Sequence, residues 1–160
     1  MRMQKKFAKA YMAIAHTFAD LSYSKKLTVG CIIVKDRRII STGYNGMPAG
    51  WTNNCEEPIY EEGDHDPNIY YRTKDEVLHA ESNALMKVAA STESSEGADL
   101  FCTHTPCIEC AKLVVQAGIR NVYIENRYES AKGCGLNFLK TSRIGVIYMT
   151  EYDRQTFTEV

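Results

Sequence analysis

The sequence predicts an α/β fold in which a mixed five-stranded sheet lies between layers of helix. Three observations predict it. Strand-like runs alternate with segments of helical period after one hairpin, the pattern of a largely parallel sheet with helical crossovers. The first strand-like run is apolar on both faces, as a central strand covered by helices must be. The composition, 160 residues with 44% apolar and 24% charged side chains and a net charge of −1, is that of an ordinary globular chain. A chain of roughly this length buries about two-thirds of its unfolded surface, and its composition is wrong for disorder.

Each element has a local reason. Phe7, Ala10, Tyr11, Ile14, Ala15 and Phe18 recur at helical spacing, which predicts a helix over 5–21. A polar, basic connector at 22–28 leads into strands over 29–34 and 39–44, joined by the turn Lys35-Asp-Arg-Arg38. The stretch 45–77 has no sustained period and contains Pro48, Pro58 and Pro67, so it reads as one long functional loop. A helix over 79–90 places Ala84, Leu85, Val88 and Ala89 on one face, and a strand over 99–104 follows a turn. Pro106 opens a helix over 106–117, where its missing N–H costs nothing, and Gly118 caps its end. A strand over 121–125, a short helix over 135–141 and a strand over 143–149 complete the chain. Residues 1–160 read as a single domain without repeats.

Charge and hydropathy exclude other classes. No apolar run approaches the roughly 18 residues of a membrane span. The first residues are basic but have no unbroken apolar stretch and no cleavage site, so they read as helix rather than signal peptide. A net charge of −1 argues against a dedicated nucleic-acid binder. Six cysteines without a secretory signal suggest a cytoplasmic protein whose paired cysteines serve metal or redox chemistry. Cys31 and Cys102 lie in apolar strands and read as small buried hydrophobes.

Two short motifs carry the chemistry. His79-Ala80-Glu81 opens one predicted helix and Pro106-Cys107-Ile-Glu-Cys110 opens the next. Both openings follow a loop or strand end, so both can lie on one rim of the sheet. Cys107 and Cys110 are i and i+3, on one helical face. One imidazole and two thiolates make three ligands for Zn²⁺, leaving the fourth tetrahedral position free, as catalytic zinc sites do. Helix N-termini favour thiolate over thiol. Glu81, two residues from the histidine, is placed to carry protons rather than to ligate, because zinc lowers the pKa of bound water towards ~7. A lone Cys-x-x-Cys or His-x-Glu would mean little; their order and the proline before the first cysteine make the signal.

That order is the zinc-deaminase signature, and at these residues the sequence resembles the cytidine deaminase superfamily, within it the deoxycytidylate (dCMP) deaminases. The matching runs are TVGCIIV at 28–34, STGYNGMP at 41–48, HAESNA at 79–84, TPCIECAKL at 105–113 and QAGIR at 116–120. Together they span the chain from about residue 10 to about 150, and GYNGMP is the narrower signal. The resemblance implies a cytidine-deaminase-like three-layer α/β/α sandwich and the hydrolysis of dCMP to dUMP and ammonia. Zinc would be held by His79, Cys107 and Cys110, with Glu81 shuttling protons to ring N3 and the departing amine. Asn45 would bond the deoxyribose hydroxyl, and Ala80 would contact the substrate. Lys26, with Lys25 as a weaker neighbour, and Tyr128 would lie at the 5′-phosphate. Against these roles stand a turn-forming Asn45, a solvated Lys26 and a packed Tyr128. The resemblance further implies a homohexamer, activation by dCTP with Mg²⁺ and inhibition by dTTP, with Tyr44, Asn45 and Gly46 near the effector.

The sequence also departs from the family pattern. Ser82 replaces a usual apolar residue, and His104 stands where an apolar or small one is usual, reading first as a packed strand-end histidine and second as a residue lining the base pocket. Cys55 and His65 are only two strong ligands, even with Asp64 or Asp66 to help, so a second zinc is not expected. Alternative readings are a tRNA adenosine deaminase, a free-nucleoside, pterin or pyrimidine-biosynthesis deaminase, and a non-catalytic zinc module. The first would need a more basic surface, and the last a fourth protein ligand.

Overall fold

The central strand explains the layering. β1 (Gly30–Lys35) is buried along nearly its whole length, and its side chains alternate between two separate cores. Ile32 and Val34 point to one side with Phe101 and Tyr123, where α1 (Lys5–Ala19) lays down Ala8, Tyr11, Met12 and Ala15. Cys31 and Ile33 point to the other side with Leu100, Cys102, Val122 and Ile124. There α2 (Ala80–Ala89), α3 (Ile108–Gln116) and α4 (Leu136–Thr141) supply Ala84, Leu85, Val88, Ala111, Val114 and Leu139. The computed structural model, which describes residues 3–59 and 70–150, is therefore an α/β/α sandwich.

The five-stranded sheet runs β2-β1-β5-β6-β7, where β2 is Arg38–Tyr44, β5 Asp99–His104, β6 Asn121–Asn126 and β7 Gly145–Tyr148. β1 is antiparallel to β2 and β5, while β5, β6 and β7 are mutually parallel. The sheet is mixed, as expected. Cys31 pairs with Cys102, so the start of β1 lies beside the C-terminal end of β5. That end, where strand direction changes, is the usual place for a ligand cleft in open α/β sheets.

Two strand glycines set how closely helices approach. A Cβ at Gly30 would fall 1.8 Å from the Ala15 carbonyl oxygen in α1, and one at Gly43 would fall 2.2 Å from the Ala80 carbonyl oxygen in α2. Both obstacles are backbone, so neither can swing away.

The structure corrects the sequence reading in three places. The stretch 45–77 is not all loop: β3 (Glu56–Ile59) and β4 (Tyr70–Thr73) pair antiparallel as a separate ribbon, with Glu56 opposite Thr73. β3 contains a proline and β4 is exposed throughout, so neither shows the alternation that betrays a strand. The two site helices begin later than expected, with His79 and Cys107 as N-caps and Pro106 outside the helix. Cys107 sulfur accepts the Cys110 N–H at 3.5 Å, the task usually given to a serine or asparagine oxygen. The last strand starts at Gly145 rather than 143, because Arg143 turns with φ of 62°. Among the described residues no helix is long and apolar enough to cross a membrane.

Candidate active site

The residues that build the site arrive from four strand and helix ends. β2 ends at Tyr44, and Asn45 and Gly46 follow. Gly46 and Leu78 exchange backbone hydrogen bonds of 3.1 and 2.9 Å, which clamps the chain immediately before His79. The Asn83 amide donates to the Tyr44 carbonyl at 2.8 Å, tying the first turn of α2 to the end of β2. On the other side Ile108 N–H donates to Gly133 O and Gly135 N–H to Pro106 O, holding the start of α3 against 133–135. Both N-caps are thus fixed by backbone bonds.

This brings His79, Cys107 and Cys110 together. His79 Nδ1 lies 3.5 Å from Cys107 Sγ and 3.4 Å from Cys110 Sγ, and the three ligand atoms lie within 4.8 Å of one another. Zinc–sulfur and zinc–nitrogen bonds of about 2.3 and 2.1 Å at tetrahedral angles require nitrogen–sulfur separations of about 3.6 Å. The donor set and its spacing fit that ion. No fourth His, Cys, Asp or Glu joins the cluster among the described residues.

Proton positions follow from the same contacts. Cys107 is held down to about 3, chiefly because Cys110 donates its S–H to it, with His79 assisting. The same bond and burial push Cys110 up. The two shifts are the two ends of one contact, which favours the thiolate at Cys107 and the thiol at Cys110. His79 is raised, foremost by its contact with Cys107. Glu81, only 4% exposed, has its carboxyl pushed up to about 7 by burial. A carboxyl near neutrality can both accept and return a proton.

Glu81, His79, Ala80 and Cys107 lie along a cleft of about 380 Å³ that opens between the end of β5 and the β3–β4 ribbon. Lys26, Asn45 and Tyr128 line it too. Asn45 is not idle there: its Oδ1 accepts the Val29 N–H and its Nδ2 donates to Leu27 O, both at 2.8 Å, so it braces the connector before β1. Lys25 is not among the lining residues. Tyr44 and Gly46 hold the clamp described above. Cys55 is buried beside Asn53 O, while His65, Asp64 and Asp66 lie outside the described residues.

Several lining residues escaped the sequence reading. Arg72 and Lys74 reach the cleft from the ribbon and Lys132 from the loop before α4. Arg72 Nε donates to Glu57 at 2.6 Å. The signal available for Arg72 and Lys74 was two basic residues within three positions of a polar stretch, which looks like any solvated surface. His104, read first as packing, also faces the cleft, with its ring edge-on to Tyr128 and Nδ1 2.9 Å from the Thr103 hydroxyl. Burial and then His16 lower its pKa, while Glu125 opposes them. Cys31 and Cys102 are fully buried as expected, and their thiols are raised, Cys31 chiefly by burial and Cys102 chiefly by its bond to Cys31.

Residues 5–126 match the family described as cytidine and deoxycytidylate deaminase zinc-binding region. The chain is 38% identical over 120 residues to ComE operon protein 2 of Bacillus subtilis, covering 75% of this chain and 59% of that protein. It is also 38% identical over 120 residues to deoxycytidylate deaminase of Saccharomyces cerevisiae, covering 74% of this chain but 37% of that one. The match therefore spans between a third and three-fifths of these two relatives. The structure of the dCMP deaminase of cyanophage S-TIM5 in complex with dCMP and dUMP superposes with a TM-score of 0.78 at 39% identity, over 92% of this chain and 99% of that one. With a His/Cys/Cys cluster of zinc-ligand spacing beneath a cleft, and with a family match across three-quarters of its length, the chain belongs to the cytidine and deoxycytidylate deaminase zinc-binding family.

Proposed function

We propose that the protein hydrolyses dCMP to dUMP and ammonia. One observation carries the reading: a buried carboxyl, Glu81, stands two residues from a His/Cys/Cys cluster in a cleft whose walls also carry Lys26, Arg72, Lys74 and Lys132. The reactive end suits an aminated pyrimidine, and the cations suit a phosphate. The similar cyanophage structure contains dCMP and dUMP, which supports the same substrate here.

His79 Nδ1 and the Cys107 and Cys110 sulfurs would hold zinc, whose chemistry when bound is to lower the pKa of a water molecule and ready it for attack. Glu81 takes a proton from the attacking water and places it on ring N3, which draws electrons from C4. As the C4–N bond breaks, Glu81 conveys the remaining water proton to the amine, and ammonia leaves. The water oxygen stays on C4 as the new carbonyl. Burial of Glu81 excludes bulk water from this exchange. Lys26 and Tyr128 bind the 5′-phosphate end, and Ala80 lies against the base. Asn45 contacts the deoxyribose with the hydrogen-bonding capacity left over from bracing 27–29.

The reading extends to a cytoplasmic homohexamer supplying dTTP precursors, activated by dCTP with Mg²⁺ and inhibited by dTTP, with Tyr44, Asn45 and Gly46 near the effector. Its support is the family resemblance of the GYNGMP run. The test is ammonia release from dCMP, CMP, deoxycytidine and cytosine, each with and without dCTP. We expect dCMP to be preferred and its sigmoidal saturation to become hyperbolic with dCTP. Preference for an unphosphorylated base or nucleoside would overturn the substrate; a hyperbolic curve indifferent to both triphosphates would overturn the regulation alone.

A further inference from the structure

We propose that Glu56 is a positioning residue for the phosphate end of the cleft. It fixes the 24–26 turn so that the Lys26 side chain faces the bound nucleotide. The inference rests on the reading above, in which Lys26 meets a 5′-phosphate.

Glu56 begins β3 and is 5% exposed. One carboxylate oxygen accepts three hydrogen bonds from the turn: Ser24 Oγ at 2.9 Å, Lys25 N–H at 2.9 Å and Lys26 N–H at 3.2 Å. A buried carboxylate is costly unless such donors replace water, so this arrangement is built rather than incidental. Ser24, itself buried, passes the order along by accepting the Leu27 N–H at 3.4 Å. From the opposite side Ser22 Oγ donates to Asn45 O at 2.7 Å, and the Asn45 amide grips 27 and 29. The connector is held between two anchors.

The direction of these bonds has a chemical result. The Lys25 and Lys26 amides point at Glu56, so they are occupied and do not reach a phosphate. Of this turn Ser24 and Lys26 line the cleft; the Ser24 hydroxyl is engaged with Glu56, so the cation the turn offers is the Lys26 side chain. The same ribbon also contributes to the cleft wall: Glu56 pairs with Thr73, Lys74 N–H donates to Cys55 O at 2.9 Å, and Arg72 and Lys74 line the cleft. One two-stranded ribbon therefore both anchors the turn that carries Lys26 and brings Arg72 and Lys74 to the cleft.

The test compares Glu56→Ala, Glu56→Gln, Ser24→Ala and Lys26→Ala in the zinc-loaded protein. It reads kcat and KM for dCMP and deoxycytidine, with calorimetric binding of dUMP and deoxyuridine. For Glu56→Ala the dCMP to deoxycytidine ratio of kcat/KM should fall about tenfold through KM, since the lost bonds involve a charged group. Affinity for dUMP should fall in parallel and that for deoxyuridine should not. Glu56→Gln, whose amide oxygen still accepts, should restore most of the ratio, and Ser24→Ala should give a smaller loss in the same direction. Should Glu56→Ala fail to fold, Ser24→Ala decides. If Lys26→Ala lowers the ratio and neither Glu56→Ala nor Ser24→Ala does, the positioning role is wrong and the phosphate reading stands. If Lys26→Ala leaves the ratio untouched, the phosphate reading falls and takes this inference with it.

Discussion

His79 and Cys107 occupy the same position on two different helices. Each is an N-cap, of α2 and α3 respectively, and Nδ1 of the one lies 3.5 Å from Sγ of the other. Two helix N-termini thus converge on one point, and their partial positive charge favours ionised thiols there. The candidate metal ligands inherit their geometry from where the helices begin, which is itself fixed by the 46–78 clamp and the 106–135 backbone bonds.

Glu81 lies outside the His/Cys/Cys cluster, so its role should be separable from metal binding. Glu81→Gln keeps shape and removes the titrating proton. We expect zinc content to remain at one per chain while ammonia release from dCMP falls by at least about 10²–10⁴-fold, the range for losing a general acid–base group. Metal analysis alongside a coupled ammonia assay checks both. Substantial residual turnover would remove Glu81 from its role.

The ligand cluster should be separable in the opposite sense. Dialysis against a strong chelator should remove zinc and activity together, and added Zn²⁺ should restore both. Cys110→Ala should lose zinc in metal analysis and not recover on addition, because two remaining ligands cannot supply the three-ligand set of a catalytic site. Zinc retained at full occupancy in Cys110→Ala would place the metal elsewhere.

His104 gives a pH dependence of stability. Burial, then His16, lower its pKa from the ordinary 6.5. As pH falls below about 6.5 the unfolded chain takes up this proton while the folded protein still does not, so unfolding is favoured. The contribution is complete above about 6.5 and is lost as pH falls towards the folded value. Urea unfolding at pH 7.5 and pH 5 should show a larger drop for the natural protein than for His104→Gln. Equal drops would mean that the imidazole is not desolvated.

How much of this the sequence could yield depends on how local each signal is. Cys107 and Cys110 lie one helical turn apart and His79 precedes an amphipathic run, so the His/Cys/Cys cluster could be read from spacing and order. Glu56 could not: its partners Ser24–Lys26 are some thirty positions away, and it opens a four-residue strand that contains a proline. Arg72 and Lys74 were hidden for the same reason, because only the pairing of β3 with β4 carries them to the cleft. The five main strands were legible since each is buried or half-buried by a helix layer. The ribbon, largely exposed, owes its form to cross-strand bonds that leave little imprint on local composition.

Gly30→Ala tests the close approach of α1. The added methyl would meet backbone atoms, 1.8 Å from Ala15 O and 2.7 Å from Ala19 N. Overpacking of this kind costs about 1–3 kcal/mol, which should lower Tm by roughly 3–10 °C in a chain of this size. Differential scanning calorimetry of the zinc-loaded variant checks it, and an unchanged Tm would show that the helix can slide away freely.

Gly43 stands in the same relation to the opposite layer, with a consequence for chemistry as well as stability. The peptide carbonyl it nearly touches belongs to Ala80, the residue between His79 and Glu81. Any substituent there would wedge the first turn of α2 outward and lift His79 and Glu81 from their seats in the cleft. The depth of the cleft is therefore gauged by a bare hydrogen atom on a neighbouring strand, and a relative with a bulkier residue at that point must seat its corresponding helix differently.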